Sequence, residues 1–208
     1  AKVGEVALAN GGILFLDELP HFPKQILEAL REPLENNKLL VSRVNSKIEY
    51  DTSFLLLAAQ NPCPCGNLLS NQKECRCTDI EIKRYKSKLS DPFLDRIDMF
   101  VVMNDVKSSD KTSTNSAFMR DVVLKTFMFQ KNRKQQNLNG KLTDSEIKKY
   151  CILSNDAQKI VESAIDKFGL SNRAINKILK VARTIADMKE SQKIEKTDIL
   201  EALSYRKR

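Results

Sequence analysis

Two adjacent carboxylates directly follow a short apolar segment near the start of the chain. Residues 13–16 are Ile-Leu-Phe-Leu, and Asp17 and Glu18 come next. An unbroken apolar run of this length predicts a strand buried on both faces of a parallel sheet, and open α/β sheets bind ligands at the C-terminal ends of such strands. Nucleoside triphosphatases use one carboxylate there to hold Mg²⁺ and a neighbouring group to orient the attacking water. The alternative is a solvated acidic turn without chemistry.

Asn61 is a candidate for the same chemistry, because it closely follows a second predicted strand at residues 53–59. If the two strands are parallel, Asn61 and Asp17 lie at the same edge of the sheet. An amide in that place can hydrogen-bond a γ-phosphate or the water that attacks it. The alternative is a simple turn residue before Pro62.

Two arginines are candidates for contacts with phosphate. Arg96 lies on a short turn before a third predicted strand, residues 98–103, where its guanidinium could reach a phosphate in a neighbouring subunit. Arg173 begins a predicted helix after Ser171, and a helix N-terminus favours anions. The alternatives are an ion pair of Arg96 with Asp95 or Asp98, and an ordinary surface position for Arg173.

Clustered cysteines predict a metal centre. The chain has five cysteines: Cys63, Cys65, Cys75, Cys77 and Cys151. The first four form two C-x-C pairs, which are tighter than the usual zinc-binding C-x₂₋₄-C, although Pro64 and Gly66 make a sharp turn feasible. The preferred interpretation is a structural zinc site, since four protein ligands leave no open position; the alternatives are reduced thiols in a mobile loop and an iron–sulfur cluster. Cys151 follows an apolar helix, and we expect it in a core.

The composition describes a soluble, globular, cytoplasmic protein. Of its 208 residues, 41% are hydrophobic and 30% charged, and no apolar run approaches the ~18 residues of a membrane span. The chain opens without Met or a signal peptide, so we expect a fragment of a longer protein.

The positive charge lies in the second half of the chain. Residues 1–105 contain 13 Lys and Arg against 15 Asp and Glu, whereas residues 106–208 contain 22 against 12. This asymmetry favours two modules, the second of which faces phosphates. The alternative is a lysine-rich solvated helical surface.

The predicted fold is an α/β unit followed by an all-α unit. Residues 1–105 should form a partial three-layer core with a parallel sheet, and residues 39–50 in it predict a β-hairpin with Arg43 and Lys47 near its tip. Residues 106–115 are a polar linker, and residues 116–208 have helical periodicity throughout. Four residues are expected to cap helices: Thr78, Thr143, Ser171 and Thr197.

The combined order of these features resembles an AAA+ ATPase, with a hairpin between the acidic strand and the Asn strand. Nearly the whole chain is similar to magnesium-chelatase-like bacterial proteins of the ComM/YifB family. The resemblance rests on residues 4–9, 15–18, 58–66, 75–77, 94–98 and 180–187. True chelatase motors resemble the chain less, because the cysteine block is not expected there.

The resemblance implies a role for each candidate. Asp17 and Glu18 match Walker B, with Asp17 on Mg²⁺; Asn61 matches sensor 1, Arg96 the arginine finger and Arg173 sensor 2. It also implies a homo-oligomeric, hexameric ring that binds ATP between subunits. For the competence-linked members it implies DNA translocation and branch migration during recombination. Arg43 and Lys47 would then face a central DNA channel, making phosphate contacts that carry no base specificity.

One departure from the family pattern is large, because Gly-x-x-x-x-Gly-Lys-Ser/Thr occurs nowhere in the sequence. We expect this phosphate-binding loop to precede Gly4, and the chain alone to lack appreciable ATPase activity. Two other functions stay open: a motor that drives metal insertion into a tetrapyrrole, and a non-enzymatic zinc-containing nucleic-acid-binding module. The cysteine block and the basic second half favour the DNA motor.

Overall fold

The computed structural model folds into two compact units. The first comprises Ala1–Ile97 with Met103–Val106, and the second Asp98–Val102 with Lys107–Arg208. The described residues are 3–43, 46–103, 105–106, 109–110 and 112–206. Residues 98–102 belong to the second unit, together with the helices.

The first unit combines strands with short helices. In chain order they are α1 (Glu5–Leu8), β1 (Ile13–Leu16), α2 (Lys24–Ala29), α3 (Arg31–Asn36), β2 (Lys38–Arg43), β3 (Ser46–Asp51), β4 (Leu55–Ala58), α4 (Asp79–Lys86) and α5 (Asp91–Leu94). β1 and β4 pair in parallel, from Ile13 opposite Leu55 to Leu16 opposite Ala58. β2 and β3 form the predicted antiparallel hairpin, with Lys47 opposite Ser42.

The prediction that β1 and its neighbour are buried on both faces is wrong for this chain. Ile13 and Phe15 are each 60% exposed, and Leu55 and Leu57 of β4 lie beside them in the register, also exposed. Successive strand residues point to opposite faces, so these four share one face of the sheet. That face has no cover among the described residues.

The predicted third strand at residues 98–103 is also wrong, since these residues form no β-ladder within the described structure. The Phe100 N–H instead donates to the Tyr205 carbonyl at 2.7 Å, near the end of the chain. A short apolar segment becomes a strand only where a neighbouring edge supplies hydrogen bonds, and here a helix end supplies one.

The apolar spacing of residues 26, 27, 30 and 34 predicts one helix that ends at residues 36–37, with Pro33 distorting its last turn, but the chain makes two helices. α2 ends before Leu30 and α3 begins at Arg31, so that Pro33 occupies the third position of a new helix. A proline is tolerated there because the first-turn N–H groups have no intrahelical partner. Leu27, Leu30 and Phe93 are buried in the core of this unit.

The second unit is a helical bundle. Its helices are α6 (Ser116–Asn132), α7 (Asp144–Tyr150), α8 (Asn155–Phe168), α9 (Asn172–Met188) and α10 (Lys196–Ser204). Residues spaced along one face of α8, α9 and α10 form its core: Val161, Ile178, Ala182, Ile185, Ile199 and Ala202. No helix in the described part of the chain is both long enough and apolar enough to span a membrane.

The cap of the last helix differs from the prediction. Glu195 rather than Thr197 is the N-cap of α10, and its N–H donates to Asp198 at 2.9 Å. Asp198 is buried and also accepts a hydrogen bond from Lys189 at 2.6 Å. These contacts anchor the capping box at Glu195 because they hold Asp198 in place.

A buried ionic network joins the ends of α6 and α9. Asp187 is 1% exposed and Arg183 is 0% exposed, and the Arg183 Nε donates to Asp187 Oδ1 at 3.0 Å. Arg133 donates to the other carboxylate oxygen at 2.7 Å, and Asn139 donates to the same oxygen at 2.8 Å. Arg183 also donates to the carbonyls of Ser191 and Gln192, which follow α9, whereas the buried Nε of Arg133 has no hydrogen-bond partner in the described structure.

Candidate functional site

The two predicted phosphate-chemistry segments leave the sheet at the same edge. Because β1 and β4 are parallel and Leu16 lies opposite Ala58, Asp17 and Asn61 both follow the carboxyl end of the sheet. The Ala59 N–H donates to the Leu16 carbonyl at 2.9 Å, and the Leu19 N–H donates back to Ala59 at 3.0 Å. The pairing therefore continues alongside the acidic pair.

The acidic pair has an unusual backbone conformation. Glu18 has φ 49° and ψ 46°, which is the left-handed region that few non-glycine residues adopt. Its N–H donates to Asp17 Oδ1 at 2.8 Å. Both side chains are exposed, so both carboxylates are accessible to a cation or a water molecule. Local strain of this kind is common at functional sites, and here it turns Glu18 out of the strand direction.

Tyr85 connects the two segments. It lies on α4, is buried, and its hydroxyl accepts the Asn61 backbone N–H. Burial raises the pKa of Tyr85, and the bond from Asn61 opposes that rise. Its ring also meets the edge of His21 at a centroid distance of 6.4 Å, just after the acidic pair. Sequence analysis missed this role, since a tyrosine on the inner face of a helix gives no sign of its partner.

Arg96 lies against its own unit. Its guanidinium forms an ion pair with Glu35 at 2.6 Å and donates to the Pro92 carbonyl at 2.7 Å, and its side chain is 13% exposed. Neither Asp95 nor Asp98, the partners considered from the sequence, makes this bond. Glu35 lies 61 residues earlier, so no local pattern could reveal it.

The remaining basic candidates occupy exposed elements. Arg173 is exposed in the first turn of α9, where Ser171 caps the helix by accepting the Ala174 N–H. Lys47 is exposed on β3. The side chain of Arg43 falls outside the described residues.

The four clustered cysteines come together as predicted. The sulfur atoms of Cys63, Cys65, Cys75 and Cys77 all lie within 4.8 Å of one another. Three of the pairs are separated by 3.5, 3.6 and 3.7 Å. A tetrahedral zinc ion with sulfur bonds of about 2.3 Å requires sulfur–sulfur edges of roughly 3.8 Å. The arrangement therefore fits one tetrahedral metal ion.

Backbone N–H groups also favour metal binding by these sulfur atoms. Hydrogen bonds from the backbone of Asn67, and then of Arg76, lower the pKa of Cys65 to about 6. A backbone bond from Cys65 acts in the same direction on Cys77, but burial and the neighbouring thiols outweigh it and raise the pKa of Cys77 to about 12. A first thiolate is thus favoured and further ones are disfavoured, unless a cation neutralises them.

Cys151 is separate from this cluster, as predicted. It lies in the core of the helical unit, where burial raises the pKa of its thiol to about 11. Its sulfur is 3.7 Å from the Leu179 carbonyl. Cys151 is a core residue.

Comparison with known protein families identifies the family to which the chain belongs. The family model for magnesium chelatase, subunit ChlI, matches residues 1–111, and the model for the ChlI C-terminal region matches residues 113–206. Since the first match alone covers more than half of the sequence, the chain belongs to the magnesium-chelatase-like family, whose members are AAA+ proteins.

The curated relatives narrow this class to the ComM/YifB family. Competence protein ComM of Haemophilus influenzae is 40% identical over 99% of the chain, and YifB of Salmonella typhimurium is 41% identical over 98%. Mb2921c of Mycobacterium bovis is 31% identical over 99%. The chain spans 41%, 40% and 42% of these three relatives, or about two fifths of their length.

Proposed function

We propose that this chain supplies the water-activating half of an ATPase site in a DNA-translocating motor. The observation that carries the proposal is the parallel register of β1 and β4, which puts the Asp17–Glu18 pair and Asn61 at one edge of the sheet. Asp17 then holds Mg²⁺, Glu18 orients the attacking water, and Asn61 hydrogen-bonds the γ-phosphate or that water. Both carboxylates are exposed, as these roles require.

The other half of the site is a phosphate-cradling loop that this sequence does not contain. Without such a loop, Asp17 has no bound phosphates to complete the coordination of Mg²⁺. The relatives are about two and a half times as long as the chain, given a coverage of 41%, which leaves room for that loop elsewhere. We therefore expect this chain alone to bind ATP poorly, and calorimetry that finds stoichiometric, micromolar binding would overturn the expectation.

The family resemblance supports two further proposed roles, an arginine finger for Arg96 and sensor 2 for Arg173. An arginine finger must reach the phosphates of a neighbouring subunit, so Arg96 has to exchange its bond with Glu35 for a phosphate when a ring assembles. Arg173 is exposed at a helix N-terminus, which suits a sensor of the γ-phosphate. A hexameric ring is the assembly that these roles require in this family.

DNA is the proposed substrate of the motor. The second half of the chain has 22 basic and 12 acidic residues, and Lys47 lies exposed on the hairpin with Arg43 nearby in sequence. One relative is a competence protein, which agrees with branch migration during natural transformation. Contacts of lysine and arginine with phosphates suffice for translocation, because it needs no base recognition.

Substitution of Glu18 tests the ATPase role. In a protein that joins this chain to a P-loop segment, Glu18→Gln should keep ATP bound and lower hydrolysis by about 100-fold or more, because proton transfer by a positioned side chain contributes roughly 10²–10⁴. Glu32→Gln, on the exposed surface of α3, should leave turnover within about twofold of the parent. Normal turnover of Glu18→Gln would remove Glu18 from this role.

A second function is favoured by the family models, both of which describe magnesium chelatase. In that case the motor would drive metal insertion into a tetrapyrrole. Hydrolysis stimulated by duplex DNA supports the DNA motor, whereas stimulation by a tetrapyrrole-binding partner alone supports the chelatase motor. DNA binding without any hydrolysis in the protein with a P-loop would support a non-enzymatic module.

A further inference from the structure

The first unit carries its positive charge in one segment. Residues 61–90 contain six basic and three acidic residues, whereas residues 1–60 and 91–105 together contain seven basic and twelve acidic ones. The six basic residues are Lys73, Arg76, Lys83, Arg84, Lys86 and Lys88, and all six are exposed. The segment that holds the cysteine cluster is therefore a basic region of a unit that is otherwise acidic.

Ion pairs do not engage these charges within the described residues, although the Lys88 Nζ lies 5.7 Å from the centroid of the Tyr85 ring. Among the ion pairs found in the described residues, none involves any of the six. The acidic Glu81 is engaged elsewhere, since it accepts hydrogen bonds from the Thr78 N–H at 2.8 Å and from its hydroxyl at 3.0 Å. Exposed cations without acidic partners keep their full attraction for a polyanion.

The cysteine cluster and the capped start of α4 hold the backbone on the two sides of Arg76. Arg76 lies between Cys75 and Cys77, whose sulfur atoms converge with those of Cys63 and Cys65. Thr78, which directly follows Cys77, caps α4. The backbone that carries these basic side chains is therefore held by the cysteine cluster on one side and by a capped helix on the other.

One face of α4 is basic and the other is buried. Tyr85 is buried and Ile82 is half-buried, while Ile80, Lys83 and Arg84 are exposed. Helical spacing puts Lys83 and Arg84 on either side of Ile80 on the outer face. Along α4, from Asp79 to Arg84, the chain advances about 7.5 Å at a helical rise of about 1.5 Å per residue, and duplex DNA presents one phosphate for each ~1.7 Å of its axis.

We propose that Lys73, Arg76, Lys83 and Arg84, here called the cysteine-loop surface, bind the phosphate backbone of duplex DNA. This surface adds a contact to the hairpin in the proposed DNA motor, and the inference rests on that proposed function for the identity of the polyanion. Contacts of these cations with phosphates carry no sequence information, so the proposed binding is independent of sequence.

The test measures the affinity of this chain for a labelled duplex of about 30 base pairs by fluorescence anisotropy, at several salt concentrations. The variant replaces the four residues of the cysteine-loop surface with Gln. A matched control replaces Lys148, Lys149, Lys159 and Lys167 of the helical unit with Gln, which changes the net charge equally. We expect the first variant to lose about tenfold or more in affinity and the magnitude of the slope of log K against log salt to fall by roughly 3.6, because each of the four lost phosphate contacts contributes about 0.9 to it.

The control should lose less than about threefold in affinity. Equal losses in the two variants would overturn the proposal for the cysteine-loop surface, because they would show a general effect of charge. A parent chain without any DNA binding would count against the proposed DNA function itself. Lys83→Gln with Arg84→Gln leaves the cysteine loop intact, so it repeats the test if the larger variant does not fold. An unchanged affinity in this folded double variant would also overturn the proposal.

Discussion

Asp187 is the single anion of the described network that faces two buried or nearly buried arginines. Arg183 is 0% exposed and Arg133 is 15% exposed at the side chain, and both bind this one carboxylate. Burial lowers the pKa of Arg183, although the carboxylate of Asp187 partly offsets that effect. The cations are tolerated inside the bundle because Asp187 and the carbonyls after α9 replace their lost water.

Removal of this carboxylate should destabilise the helical unit strongly. Asp187→Ala leaves two cations without a buried partner, and breaking such a pair costs about 3–5 kcal/mol. Denaturant unfolding of this chain measures the loss. Asp156→Ala is the matched control, since its bond to Lys159 joins side chains that are 72% and 75% exposed, and it should change the free energy of unfolding by less than about 1 kcal/mol. Similar values for the two variants would contradict the role of Asp187.

The cysteine cluster leads to a prediction that does not depend on ATP. Four convergent sulfur atoms should hold about one zinc ion per chain, and Cys63 is the fully buried member of the set. Cys63→Ser should abolish stoichiometric zinc, measured by metal analysis of freshly purified, chelator-free protein. Cys151→Ser, in the helical core, should retain it. A parent chain without zinc, or a Cys63→Ser variant with the full amount, would refute the metal centre.

The contacts of a single residue could be predicted from the sequence where its partner is near in the chain or belongs to the same sequence pattern. The two C-x-C pairs predicted their own convergence, and the strand ends predicted that Asp17 and Asn61 share an edge. The bond between Arg96 and Glu35, and that between Tyr85 and Asn61, could not be predicted. Each depends on where a remote element packs, which no local spacing encodes.

At the level of elements, the helix caps have a measurable pH dependence. Glu146 is the third residue of α7 and accepts hydrogen bonds from the N–H and the hydroxyl of Thr143 at 2.8 and 2.9 Å. The backbone bond from Thr143, followed by the hydroxyl bond, lowers the pKa of Glu146 below 4.5. A carboxyl group with a lowered pKa stabilises the fold above its unfolded value and loses that contribution as the pH falls through the folded value.

Glu146→Gln should therefore flatten the acid side of the stability curve of the helical unit. The parent loses the contribution of Glu146 as the pH falls below about 4.5, whereas glutamine has no charge to lose. Unfolding followed by helical circular dichroism between about pH 6 and 3 measures the difference. Glu162→Gln, in the middle of α8, should leave the slope unchanged, and an unaltered slope in Glu146→Gln would contradict the capping role.

Elements were predictable to the extent that their hydrogen bonds are local. The capping boxes at Thr78 and Thr143 occur as predicted, because a side chain and a backbone group three residues apart decide them. The cap of α10 was misassigned because Lys189, on another element, fixes Asp198. Residues 98–103 were misassigned as a strand because their hydrogen-bond partner lies near the end of the chain.

At the scale of the whole molecule, the sheet has more apolar side chains than the described residues bury. The sequence predicted strands buried on two faces, and the pattern of apolar residues is the one that such strands need. The described structure instead leaves Ile13, Phe15, Leu55 and Leu57 exposed side by side. A contiguous apolar patch on a soluble protein promotes association with another apolar surface.

The chain should therefore self-associate through this sheet face, and polar substitutions there should reduce the association. Phe15→Thr combined with Leu57→Thr keeps residues that favour strands while it removes exposed apolar area. Light scattering should show less association of this variant at concentrations where the parent associates, and binding of a dye specific for apolar surface should fall. The stability should change by less than about 1 kcal/mol, because neither side chain is buried.

Ile152→Thr, at an exposed position in the helical unit, is the control and should leave association unaltered. An equal effect of the control and of the double substitution would show that the sheet face is not the surface involved.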